Sequence, residues 1–279
     1  RVAGSAGNWL REGVEQARRR VQEAIASSTG GGQAPLLRAL AVGKRDRLEP
    51  ETWEQLRVTG TAHLVAISGL HVGWVSFLVF ILVERLWRKV PGAPLWLPAP
   101  RAAAVGALLG ALLYALLAGL SLPTKRALIM VATGLGAWVL GRPFRFERAL
   151  AVAALAILVW RPDSLFEPGF WLSFTAVGGI GLLLAGPLRG MGRLRRLLVI
   201  QLAVVAMVSP WLAFWFGRVS LVAPLANLAA LPLFSFLTVP LALAGALSQL
   251  LSLETAAESA FRIAGLSLWW FQEIGRAHV

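Results

Sequence analysis

Apolar positions are spread unevenly along the chain. Before Gly60 they recur at helical intervals among charges, and from Gly60 onward they join into long runs. Trp9 to Ile25 reads as a polar, arginine-rich helix, and Ser27-Ser28-Thr29-Gly30-Gly31-Gly32 as a flexible joint. Pro35 to Gly43 and Glu51 to Val58 read as short amphipathic helices, with Asp46 and Pro50 marking the turn between them. Residues 1–58 hold ten Lys/Arg and seven Asp/Glu and no long apolar run. A spanning helix needs about 20 apolar residues. Windows near 63–83, 102–120, 124–140, 148–160, 169–186, 195–216 and 221–251 qualify, the fourth being short. Pro224, Pro232 and Pro240 interrupt the last, which is expected to be two short or broken helices. Leu253 to Phe271 reads as the start of a further helix, giving seven or eight spans.

The pattern predicts an all-α fold: a polytopic transmembrane helix bundle with broken helices, preceded by short amphipathic helices. Residues 1–58 are expected to form an extracytoplasmic or interfacial lead-in, and 59–272 a transmembrane domain. Residues 273–279 are expected to be a non-native tail, because Ile274-Gly275-Arg276-Ala277-His278-Val279 reads as translated adapter sequence. The chain is then expected to be a fragment whose natural sequence continues past Gln272.

Composition agrees. Apolar residues make up 57% of the chain and mean hydropathy is +0.68, above the roughly 45–50% apolar content of soluble domains. Cysteine is absent, which excludes a disulfide framework, a thiol nucleophile and a thiolate metal site. The net charge of +13 fits orientation signals, anionic-lipid contact or a polyanionic substrate. Lys/Arg in successive loops number 4, 2, 3, 1, 4 and 1. Positive-inside bias therefore puts the first, third and fifth loops in the cytoplasm and residues 1–58 outside. Trp87, Trp96, Trp138 and Trp160 fall at expected span ends, where indole prefers the interface. Gly106 and Gly110 form a small-xxx-small pair suited to close helix packing, and Gly178-Gly179-Ile180-Gly181 is a second dense glycine patch.

The most informative stretch is Gly60-Thr-Ala-His-Leu-Val-Ala-Ile-Ser-Gly-Leu-His-Val-Gly73. It places His63, Ser68, Gly69 and His71 where a membrane helix begins. The spacing of eight puts the two histidines about 80° and two turns apart on a helix. That is too far to chelate one metal directly, and no carboxylate lies nearby, so no metal or cofactor is expected. Ser68 with a histidine base would lack an orienting Asp. Ser68-Gly69 as a helix kink, with the histidines bonded to neighbouring helices, fits equally well. Ionisable groups in apolar helices are functional candidates in either case.

This run resembles the signature of the ComEC competence family, Gly-Thr-x-His-Leu-x-Ala-Ile-Ser-Gly-Leu-His-Val. Three further stretches resemble the same family: Leu113-Tyr-Ala-Leu-Leu-Ala-Gly-Leu-Ser121 with Arg126-Ala127 and Met130; Pro168-Gly-Phe-Trp-Leu-Ser-Phe174; and Phe216-Gly-Arg-Val-Ser220 with Pro224-Leu-Ala-Asn-Leu228 and Leu231-Pro232. Trp171 stands where the family pattern leads one to expect glutamine. The resemblance spans residues 36–250. It implies a multi-pass inner-membrane channel that passes single-stranded DNA into the cytoplasm during natural transformation. Single-stranded DNA, the lipid bilayer and other competence-machinery proteins are the implied partners. Family members resemble one another in an oligonucleotide-binding-type domain upstream and, often, a metallo-β-lactamase-like domain downstream. No His-x-His-x-Asp-His motif occurs here.

A strand of phosphates needs cations along a wet path, and bases stack on aromatic rings. Lys125 and Arg126 face either the outer surface or the bundle interior. Phe170, Ser173 and Phe174 cluster at a span start, for packing or for stacking. Asn227 lies between prolines, where freed backbone groups line cavities, and Arg218 is the lone cation of its loop. Only four carboxylates (Glu84, Glu147, Asp163, Glu167) face fifteen Lys/Arg between residues 60 and 250, so most cations are expected to lack an internal partner. No bond is expected to be made or broken by this chain, and no phosphate-binding Gly-rich Lys-Ser/Thr loop is present. The alternatives are an intramembrane hydrolase using His63, Ser68 and His71, and a small-solute transporter built on broken helices.

Overall fold

The computed structural model describes residues 3–276 except 31, 66, 187, 189, 218 and 221, with side chains described between 11 and 272. Every described regular element is helical. The lead-in forms α1 (Ala3–Ser28), α2 (Ala34–Val42), α3 (Pro50–Val58) and the single turn α4 (Ala62–Val65). The centre forms α5 (Gly69–Lys89), the short α6 (Ala93–Trp96), α7 (Ala99–Leu117), α8 (Leu122–Val139) and α9 (Phe146–Trp160). A 3₁₀ turn (Pro162–Phe166) leads to α10 (Pro168–Ala185) and α11 (Arg193–Phe216). The end forms α12 (Ala223–Leu233), a π-helical turn (Phe234–Thr238), α13 (Val239–Leu250) and α14 (Glu254–Arg276).

Among the described residues five helical runs are long and apolar enough to cross a membrane: α5, α7, α10, α11 and the 28-residue run Ala223–Leu250. The expected third and fourth spans are helices but fall short of that standard. Lys125 and Arg126 stand in the first turns of α8, and α9 has 15 residues, about 22 Å of rise against a hydrocarbon core of about 30 Å. The first span begins at Gly69 rather than at residue 63, with α4 separate from it. It also runs past residue 83, where Arg88 reaches Glu84 one turn back at 2.6 Å and the cations Arg88 and Lys89 suit a helix C-terminus. The last window is not interrupted. Pro232 lies inside α12 and Pro240 in the first turn of α13, and the helical run accommodates them through a π turn, one residue wider than an α turn.

The chain divides into two compact units, neither continuous in sequence. The first takes residues up to Ser68, Ala115–Ser121, and the chain from Ala229 onward. Here α1 and α2 pack on α13 and α14. Val21 and Ile25, four apart on α1, meet Leu36, Leu37 and Leu40 of α2, Leu64 of α4, Phe234, and Phe261 and Leu268 of α14. Each such large side chain taken from water contributes about 1.5–3 kcal/mol. Pro35 pre-sets the first turn of α2, and Gly43 ends the helix at φ 72°, its N–H bonding the Ala39 carbonyl at 3.1 Å. Arg18 donates to the Val42 carbonyl at 3.0 Å and lies over Gly119 (φ 77°), where a Cβ would come within 2.6 Å of its Nη2.

The second unit takes Gly69–Tyr114 and Leu122–Leu228. Its contacts are made through small residues: Ala102, Ala103, Ala104, Ala107 and Ala111 of α7 are buried. Gly106 and Gly110 let α7 approach α5, since Cβ atoms there would lie 2.7 Å from Val83 and 2.8 Å from Val79. Gly179 of α10 meets Met207 of α11 in the same way. Large apolar side chains face outward instead, among them Leu113, Leu155, Val159, Leu182, Leu202 and Phe214.

Candidate functional site

The signature stretch is divided between the units. Gly60 turns the chain at φ 68°, and Thr61 is buried with its hydroxyl 2.8 Å from that of Thr59. His63 is exposed in the first unit. Its Nδ1 lies 2.9 Å from the Gly60 carbonyl, which can only accept, so Nδ1 carries the proton. Ser68 is half-buried immediately before α5. Gly69 opens α5 against α8, and a Cβ on it would sit 3.4 Å from Ala127 Cβ. His71 is fully buried in the first turn of α5, in the second unit. Among the described residues no group of three or more His, Asp or Glu side chains is placed to hold a metal ion.

The densest polar constellation lies elsewhere, where α8 begins, α9 ends and α10 begins. Arg126 is only 8% exposed. Its Nη1 donates to Glu167 Oε2 at 3.2 Å, and Glu167 Oε1 lies 3.1 Å from Arg161 Nη2. Arg161 also donates to Asp163, and that hydrogen bond holds the Asp163 carboxyl below its ordinary range. The chain Arg126–Glu167–Arg161–Asp163 thus alternates in sign. Gly169 makes room for it, because a Cβ there would collide with the Arg126 guanidinium. One donor, Arg126 Nε, is buried without a hydrogen-bond partner.

Aromatic rings stand on the helices that carry these charges and on α11. Lys125 Nζ sits 5.3 Å from the centroid of Trp160, a cation–π contact. Phe170 is buried and lies 4.6 Å from Phe174 and 5.7 Å from Trp171, centroid to centroid. Trp171, at the position where glutamine is expected, stacks on Trp211 at 4.6 Å and 17° and donates its indole N–H to the Leu165 carbonyl at 2.9 Å. Ser173 is half-buried on the same helix. Asn227 is 4% exposed on α12, and its Oδ1 has no hydrogen-bond partner. Arg218 lies outside the described residues.

Of the two placements open to Arg126, the structure gives the interior one, and with a partner that sequence reasoning did not assign to it. Glu167, Arg161 and Asp163 were absent from the candidate set, as were Trp160 and Trp211. The available signal was scarcity: Glu167 is one of four carboxylates in the apolar region and directly precedes the Pro168–Phe174 motif.

The comparisons with known proteins follow the same motifs. The profile of the family described as "Competence protein" matches residues 40–277. The chain is 36% identical over 225 residues to "Competence protein ComA" of Neisseria gonorrhoeae, covering 79% of this chain and 31% of that protein. It is 31% identical over 236 residues to "Recombination protein 2" of Haemophilus influenzae, covering 80% and 30%. Against "ComE operon protein 3" of Bacillus subtilis it is 30% identical over 219 residues, covering 78% and 27%. The chain spans less than a third of the length of these curated relatives. No solved structure matches it. A profile match over most of the sequence, on a helical chain with five runs able to cross a bilayer, establishes that the chain belongs to the competence-protein family.

Proposed function

We propose that this chain is the membrane channel part of a competence protein and passes one strand of DNA across the inner membrane, with no bond made or broken along the way. The names of its relatives, a competence protein and a ComE operon protein, support the setting. One observation carries the path: a buried guanidinium, Arg126, held by a carboxylate, Glu167, that directly precedes the aromatic-rich start of α10. A desolvated cation needs an anion at all times. Glu167 supplies it at rest, and a phosphate oxygen presents guanidinium with the same charge-assisted, forked geometry. A passing phosphate can therefore replace Glu167 on Arg126 while Glu167 keeps Arg161, so neither charge is left bare. Lys125 adds a further cation, and Phe170, Phe174 and the Trp171–Trp211 pair offer faces on which bases stack irrespective of sequence. Ser173 and Asn227 are polar points on the same route, and Gly69 and His71, in the same unit, shape its start.

The test is transport per molecule in the full-length protein in its host. Arg126→Gln should lower DNA uptake more than it lowers protein abundance, and its deficit should narrow as salt rises, since the variant has already lost one salt-sensitive phosphate contact. Arg195→Gln, on the exposed start of α11, should leave per-molecule uptake unchanged. Normal uptake by Arg126→Gln at equal abundance would overturn the path. A purified chain that moves a small neutral solute in liposomes but never an oligonucleotide would favour the transporter instead.

A further inference from the structure

The first unit contains a cavity of about 490 Å³, open to the surface, between the α1–α2 joint and α14. Ser28, Thr29 and Gln33 line one wall, and Arg262, Leu266 and Trp269 the other. Gly265 brings the α14 backbone close to the joint, where a Cβ would lie 3.1 Å from Thr29 Cγ2. The hydroxyl protons of Ser28 and Thr29 are already spent on the Ala24 and Ile25 carbonyls, each at 2.6 Å. The donors left to the cavity are the Gln33 amide, the Trp269 indole N–H and the Arg262 guanidinium. Arg262 gives one N–H to Glu258 at 2.6 Å and has four others. A mostly apolar lining that carries one guanidinium fits the phosphate end of an amphiphile, an anion with several acceptor oxygens.

The outer stripe of α14 identifies what bears that phosphate. Ser259, Arg262, Ile263, Leu266, Trp269 and Trp270 succeed one another along the exposed face, polar first and apolar last. The opposite face, with Ala257, Phe261, Ala264 and Leu268, is buried in the core, so the stripe is apolar surface beyond what the fold needs. From Arg262 to Trp270 the helix rises about 12 Å, enough to reach from the headgroup region into the hydrocarbon. Two tryptophans at its apolar end match the interfacial preference of indole. A soluble phosphate would use the cavity and leave the stripe bare, whereas an amphiphile uses both.

We propose that this cavity binds the phosphate of an anionic phospholipid, with its acyl chains lying along Leu266 and Trp270. The site is independent of the DNA path. The test is native mass spectrometry of the purified chain in neutral detergent, titrated with short-chain phosphatidylglycerol, phosphatidylcholine, glycerol 3-phosphate or a short oligonucleotide. One phosphatidylglycerol should bind per chain at least tenfold more tightly than phosphatidylcholine, and Arg262→Gln should weaken it at least tenfold. Glycerol 3-phosphate should not compete at the same concentration. Gln33→Glu guards against misfolding as an explanation: an acidic residue at the start of α2 suits the helix dipole, so this variant should fold and still lose the lipid by repulsion. Equal binding of the two lipids, unchanged binding in either variant, or displacement by glycerol 3-phosphate or oligonucleotide would overturn the proposal.

Discussion

The two units solve the packing problem in opposite ways. In the first, large side chains turn inward: Phe234, Phe261, Ile25, Leu36, Leu37 and Leu40 are all fully buried. In the second alanine is the commonest buried residue, while many leucine, valine and phenylalanine side chains face out, and the apolar stretch of α11 buries nothing. The first packs large apolar side chains against one another, although its core includes part of the Ala223–Leu250 run that is apolar enough to cross a membrane. The second brings helices into close contact through small residues, as helices in lipid do.

Substitutions can break or sharpen this contrast, and the largest effect is expected in the first unit. Phe261→Ala removes a ring that packs against Gly245 and should cost about 3–5 kcal/mol, read as a lowered denaturation midpoint of the purified chain. A shift no larger than that of a surface variant would mean the first unit has no tightly packed core. Next comes Glu167→Gln in the second unit. It leaves Arg126 buried beside a neutral amide and should cost on the order of 2–3 kcal/mol, with DNA uptake falling further than abundance. Arg126→Gln in the same background should recover part of the stability, because the bare charge is gone.

Gly110→Leu reverses the logic of the core. Adding volume between α5 and α7 should cost about 1–3 kcal/mol, measured as reduced abundance and a lower aggregation temperature in detergent. If the larger side chain is tolerated, the small-residue contact is not what holds these helices together. The smallest effect is expected for Leu202→Ala on the outer face of α11. It should change stability by under about 0.5 kcal/mol, although a leucine-to-alanine change inside the first unit would be severe. Comparable losses at Leu37 and Leu202 would erase the distinction between the units.

Local features were legible in the sequence, and distant pairings were not. The lead-in helices announce themselves through Pro35, Gly43 and Pro50, and the spans through apolar runs bounded by charge. Gly106 and Gly110 indicated close packing, and the structure supplies Val83 and Val79 as what they pack on. No periodicity ties Arg126 to Glu167, 41 positions away, so a count of charges could say that carboxylates are scarce but not which cation holds one. The meeting of α1 and α2 with α13 and α14 is equally invisible in a local pattern, because each helix shows only that it has an apolar face. The prolines of the last run pointed to a disturbance without saying whether the chain would part or widen.

That widening has a consequence for how the segment can change over time. A π turn is an α-helix holding one extra residue, so Phe234–Thr238 is in effect an insertion that the fold has absorbed. Deleting a single residue there would restore an ordinary helix and leave Val239, Ala242 and Ala246 facing the core much as before. The same deletion inside α12 or α13 would turn everything after it by about 100°, so this turn is where the run should best accept the loss of one codon.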